Sequence, residues 1–172
     1  MTDYSFALRS PADLLEKLKR ELERLQQDET YQSDHAFNFA VTAWHMTDWV
    51  HKDARQRDPT NPNPFGYKRI GNFQQFVRGD CRALGICDEL ANGSKHFEKH
   101  FESAPENKKT VLKTDASIVG GASLGVFKLD VDRLAGTVLI IRLTGDESVR
   151  AEEVFAEAIA YWTEFFDKHG LC

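Results

Sequence analysis

Between Pro11 and Leu25 the apolar positions Leu14, Leu15, Leu18, Leu22 and Leu25 recur every three or four residues, which predicts an amphipathic helix with one buried stripe. Ser10, Pro11 and Asp13 supply an N-cap, a first-turn proline and a capping-box acid. A second helix is expected from Ser33 or Asp34 to about Arg55. At about 100° per residue, Phe37, Phe39, Ala40, Val41, Ala43, Trp44, Met46, Trp49 and Val50 take up nearly its whole circumference, the mark of a central helix. Asn38, His45 and Asp48 fall in one sector of it with Lys52 beside them, and a polar sector on a buried helix must face partners.

The run Asp58–Gly66 holds three of the five prolines and predicts a stiff loop. A short helix over 71–78 uses Phe73, Phe76 and Val77. Asp80 is placed to cap a longer helix that reaches about Phe101. Ala83, Ile86, Cys87, Leu90, Phe97 and Phe101 lie on its core side. Gly85, Asp88, Glu89, Asn92, Lys95, His96 and His100 lie on the other, facing solvent, a cleft or a partner. Each helical glycine costs about 1 kcal/mol against alanine, so Gly85 and Gly93 predict a second backbone approaching that face.

After Pro105 the period shortens from 3.6 to 2. Val111–Lys113 is a short strand, Ser117–Gly125 a glycine-rich turn region, and Val126–Val131 with Thr137–Leu143 a hairpin turning over Asp132–Gly136. The glycines of 117–125 lack the lysine and following helix of a phosphate loop. A last helix runs from about Ser148 to Lys168 with Val154, Phe155, Ala158, Ile159, Trp162, Phe165 and Phe166 on one face, stopped by Gly170. The expectation is a predominantly helical α+β fold in one domain over 1–172. A helical bundle spans 10–104, and a small antiparallel β-hairpin with a C-terminal helix spans 110–170.

The net charge of −5 argues against broad nucleic-acid or anionic-membrane binding, although a small basic cleft fits inside an acidic whole. Three cysteines without disulfide-framework or zinc spacing, no signal-peptide pattern and no apolar run of about 20 residues predict a cytoplasmic protein without a membrane span.

The chemistry concentrates at Asp88–Phe97. His96 with His100 (i,i+4) and His45 with Asp48 (i,i+3) could ligate a metal from two helix faces, as in a small metal-dependent hydrolase, but no H-E-x-x-H or paired Glu-x-x-His is present. Cys87 points to the core, away from His96, and Ser94 stands about 160° from His96 around the helix, so neither pair forms a nucleophile and base. What remains is acid–base work by His96, whose imidazole titrates near cell pH. Asn92 and Lys95 beside it suit a phosphate. Cleavage of RNA by its own 2′-hydroxyl needs no metal and no cofactor.

Ala91-Asn92-Gly93-Ser94-Lys95-His96, late in a helix, resembles the Arg-Asn-x-x-x-His signature of HEPN domains, over a loosely matching span of residues 34–101. The resemblance implies a helical bundle that dimerises so that two motifs face across a cleft, and a metal-independent ribonuclease of toxin–antitoxin, phage-defence or RNA-processing type, or an inactive binding module. It also implies a supporting polar residue on an earlier helix, a role for His45 or Asp48. Two features depart from the family. Ala91 replaces the motif arginine, with Lys95 or Arg82 as substitutes, and a β-hairpin is added to the bundle. A different reading makes the same face a non-catalytic surface for a protein partner.

Overall fold

The structure, a computed structural model, describes residues 7–93, 110–118 and 137–171. Five α-helices and a small antiparallel sheet make up the described chain: α1 (Pro11–Gln27), α2 (Gln32–Arg57), α3 (Ile70–Asp80), α4 (Arg82–Gly93), β1 (Val111–Ile118), β2 (Thr137–Leu143), β3 (Ser148–Arg150) and α5 (Ala151–His169). The fold is α+β and predominantly helical, as the periodicities predict.

The helix α1 starts where its cap says it should. Ser10 Oγ accepts from the Asp13 amide at 3.1 Å, and the Asp13 carboxylate accepts from the Ser10 amide at 2.9 Å. Leu14, Leu15, Leu18 and Leu25 are buried along one stripe that packs on α2. A buried carboxylate ties the two helices: Glu21 meets His35 Nδ1 at 3.1 Å and Lys17 Nζ at 3.4 Å. Charge-paired burial of this kind avoids the penalty of an isolated buried ion.

The core runs through all five helices and onto the sheet. Phe39 of α2 stacks on Phe155 of α5 with centroids 4.1 Å apart, and Ile141 and Leu143 of β2 close the cluster from the other side. The 58–66 loop ends in a short 3-10 turn, Pro64–Gly66, in which Phe65 adopts φ 57. Its ring fits between Phe73, Phe165 and His169, and this packing holds the non-glycine residue in a left-handed conformation. Gly170 ends α5 at φ 61, ψ 44, the conformation expected of a C-terminal glycine.

Partial burial, with Lys168 adjacent, holds the His169 imidazole below its ordinary pKa. The unfolded chain therefore takes up this proton at a higher pH than the folded one, and stability rises with pH. Its contribution is complete above about pH 6.5 and is lost as pH falls through the depressed folded value. Melting temperatures followed from pH 8 to pH 5 should decline, and His169→Gln should flatten the lower part of that curve.

Three boundaries differ from expectation. Asp80 closes α3 instead of capping α4, and Cys81 is the junction, donating to the Val77 carbonyl and accepting from the Gly85 amide. The strand at Val111 extends to Ile118 and pairs antiparallel with β2, with an irregularity between Val111 and Lys113. Ser148–Arg150, expected as the first turn of the last helix, pairs with Ile140–Arg142 as β3. Gly145 and Asp146, both at positive φ, turn the chain between β2 and β3. The expected partner of β2 at 126–131, the Asp132–Gly136 turn and the 119–125 glycines lie outside the described residues. No described helix is long and apolar enough to cross a membrane.

Candidate functional site

The polar face of α4 is not open. Asp88 is 2% exposed, and the end of α3 closes over it. Arg78, in the last turn of α3, sets its guanidinium on one carboxylate oxygen, while Asn92 Nδ2 donates to the other at 2.5 Å. The Arg78 guanidinium also lies over the indole of Trp44 on α2, 5.5 Å from its centroid. Such a face-on cation gains from the ring's negative face. Trp44, Arg78, Asp88 and Asn92 thus form one chain of contacts across α2, α3 and α4.

Gly85 lies beside the end of α3. A Cβ at that position would stand 3.4 Å from the Arg78 carbonyl oxygen and 3.5 Å from its Cγ. The backbone beside Gly85 is therefore α3 of the same chain, at an ordinary van der Waals distance that an alanine would also meet, so this approach does not require the glycine. Periodicity predicts Asp88 on a face turned to solvent, a cleft or a partner. It is buried instead because the end of α3 covers it with a countercharge.

Glu89, one residue on, accepts from the Val111 amide at 2.6 Å and fixes the start of β1 against α4. Beyond it, Gly93 borders a groove of about 560 Å³ between α2, the end of α4 and β1, floored by Ala40, Leu90, Leu139 and Phe155.

The sequence-predicted site residues divide into three groups. Asn92 sits in the Asp88 cluster. His45 and Asp48 are exposed on α2, as are Asn38 and Lys52, so this sector is the helix's outer side and not a network inside the core. Phe37, 52% exposed, marks the same limit: α2 is central without being enclosed. The buried histidine of α2 is His51, whose Nε2 is 2.9 Å from the Tyr67 carbonyl oxygen. Asp48 accepts from Gln74 Nε2 at 3.3 Å, and His45 is the chain neighbour of Trp44. Lys95, His96 and His100 lie outside the described residues.

Of the two substitutes named for the motif arginine, Arg82 is engaged elsewhere, 2.5 Å from Glu147 at the turn before β3. It stands ten residues from Asn92 on α4, roughly 15 Å along the axis at 1.5 Å per residue. Ala91 is 4% exposed, so the motif position that carries arginine in the resembled family faces the interior here. Arg78, which sequence spacing did not single out, is the guanidinium next to Asn92.

Cys81 and Cys87 are both buried free thiols, and burial pushes both above the ordinary thiol range, so neither is a thiolate nucleophile at neutral pH. Among the described residues, no three His, Cys, Asp or Glu side chains gather as metal ligands would. No family model, no curated protein and no solved structure matches the chain.

Proposed function

We propose that the protein is HEPN-like and acts on RNA, as a metal-independent endoribonuclease working as a homodimer. The observation that carries this is the shared carboxylate: Asp88 holds a guanidinium from α3 and the motif amide of Asn92 side by side. Arg78 supplies from a neighbouring helix the group that Ala91 lacks. Its side chain is 40% exposed, so a phosphate can reach it in competition with Asp88.

In this reading His96 takes the proton of the ribose 2′-hydroxyl as that oxygen bonds to the adjacent phosphorus. The 5′-oxygen leaves with a proton from an acid, the imidazolium of either protomer. Asn92, Lys95 and Arg78 hold the phosphate oxygens, and His45 and Asp48 on α2 are the supporting polar residues. No redox change and no cofactor enters this balance.

The test is incubation with labelled RNA in EDTA. Wild type should cleave it, and His96→Ala should lose about 10²–10⁴-fold in rate, the usual contribution of a positioned acid or base. No cleavage by wild type, or equal cleavage by His96→Ala, overturns the reading.

A second reading has its own observation. Ala91 is buried and Asn92 is already bonded, so the described half of the motif is built as structure. That favours a binding module without nuclease activity, and retained RNA binding with no cleavage is its signature.

A further inference from the structure

Residues 52–82 carry seven Lys and Arg against three Asp, in a chain of net charge −5. Arg57, Arg78 and Arg82 meet Asp53, Asp88 and Glu147. Lys52, Arg55, Lys68 and Arg69 are exposed and have no ion pair among the described residues.

One contact gathers these four. His51 Nε2 lies 2.9 Å from the Tyr67 carbonyl oxygen. Lys52 follows His51 in the chain, and Arg55 stands one turn beyond it on the same face of α2. Lys68 and Arg69 follow Tyr67. Like charges on two segments joined by this contact repel one another, and a polyanion relieves that repulsion.

An aromatic platform adjoins them. Phe76 is 37% exposed and stacks on Tyr67 with centroids 5.3 Å apart and planes 27° from parallel. Tyr67 in turn packs against Phe73, 6.0 Å between centroids, so the stack is backed by the core. Arg69 and Asn72, both exposed, share the α3 face of Phe76 at spacings of seven and four residues. A lone exposed phenylalanine is ordinary. A braced ring beside uncompensated cations has the two parts that an unpaired strand requires, charge for the backbone and a flat surface for a base.

We propose that Lys52, Arg55, Lys68, Arg69 and the Tyr67–Phe76 stack form a binding surface for single-stranded RNA. This rests on the reading above that the ligand is RNA, and it adds which form of RNA and where. A duplex keeps its bases inside and engages only the cations, so the platform sets the preference for a single strand.

The test uses the full chain and a labelled 12-nucleotide 2′-O-methyl strand, which cannot be cut, so that binding is read apart from cleavage. Fluorescence anisotropy in about 50 mM salt should show saturable binding that weakens as salt rises. The double variant Arg55→Glu/Arg69→Glu should bind at least about 10-fold more weakly, with a shallower dependence on salt. Phe76→Ala should lose about 5-fold or more on the strand and leave binding of the matching duplex unchanged. Arg20→Glu, an exposed reversal on α1, should behave as wild type, and circular dichroism should show every variant folded.

The proposal is overturned if wild type does not bind the strand, if either variant binds as wild type does, or if Arg20→Glu is as damaging. It is equally overturned if Phe76→Ala weakens duplex and strand alike, or if vesicles of anionic lipid bind while the strand does not. Strand binding without RNA cleavage leaves this surface standing and removes the nuclease reading. Cleavage with unchanged strand binding in the variants does the reverse.

Discussion

Trp162→Ala is expected to lower the stability of the protein by about 4 kcal/mol, the middle of the range for aromatic truncation in a core. Trp162 is fully buried on α5, edge-on to Tyr161 at 5.5 Å and to Phe165 at 5.6 Å. Its indole N–H donates to the Ala43 carbonyl on α2 at 3.2 Å. Truncation therefore leaves a cavity between α2 and α5 and removes the one polar contact that orients the ring. The hydrogen bond is the smaller loss, about 1 kcal/mol, because a mid-helix carbonyl already accepts an intrahelical bond. The cavity dominates, since a packed interior relaxes only in part. Trp162→Phe keeps most of the volume and should cost about half as much. Urea titration with an unchanged m-value measures both. A loss below about 2 kcal/mol for the alanine variant would mean that α5 collapses onto α2 and that the indole is not a keystone of the core.

How legible such features are in sequence depends on how far apart the interacting residues lie. The start of α1 is legible because Ser10, Pro11 and Asp13 carry their own physics within four residues, and the leucine stripe then fixes the buried side. The α5 stripe is equally plain, and all its members are buried except Ile159, which is partly so. The strand β3 is not legible: three residues with one valine are too few for a period of 2, and Ser148 ahead of Glu152 and Glu153 imitates a helix cap. β1 hides for a related reason, because among its side chains at 111–116 only Val111 is buried and Leu112 is 45% exposed. A strand with so little inside has a weak alternation. The α4 face fails in a more instructive way. Periodicity places Asp88 opposite the core residues of its own helix, but it cannot tell open solvent from a cation delivered by another helix. Likewise, the apolar neighbours of His45 predict an inward place for it, whereas the histidine that α2 buries is His51, one side of which meets the backbone of a loop sixteen residues away.

Arg78→Ala is expected to cost about 3 kcal/mol, and Asp88→Ala only about 1–2 kcal/mol, although the two changes break the same ion pair. Removing the guanidinium leaves a carboxylate that is 3% exposed without the cation that covers it, and breaking a buried pair costs about 3–5 kcal/mol. The low end applies because the Arg78 side chain is 40% exposed and its pairing is screened on that side. Removing the carboxylate is milder: the guanidinium turns to water and keeps its place over Trp44. The double variant should then cost less than the sum of the singles, by about 1–2 kcal/mol of coupling. A double-mutant cycle by urea unfolding at neutral pH reads all three values. The asymmetry is the diagnostic result, because it follows only if Asp88 is the buried member and Arg78 the accessible one. Arg78→Lys then separates brace from site. A lysine restores a charge to Asp88 but not the planar fork, so stability should return to within about 1 kcal/mol of wild type, and if the protein is the ribonuclease proposed above, RNA cleavage should stay depressed. If cleavage recovers together with stability, the arginine is a brace and the phosphate is held elsewhere. If Arg78→Ala proves cheaper than Asp88→Ala, the carboxylate does not depend on Arg78, and the guanidinium loses its place beside Asn92.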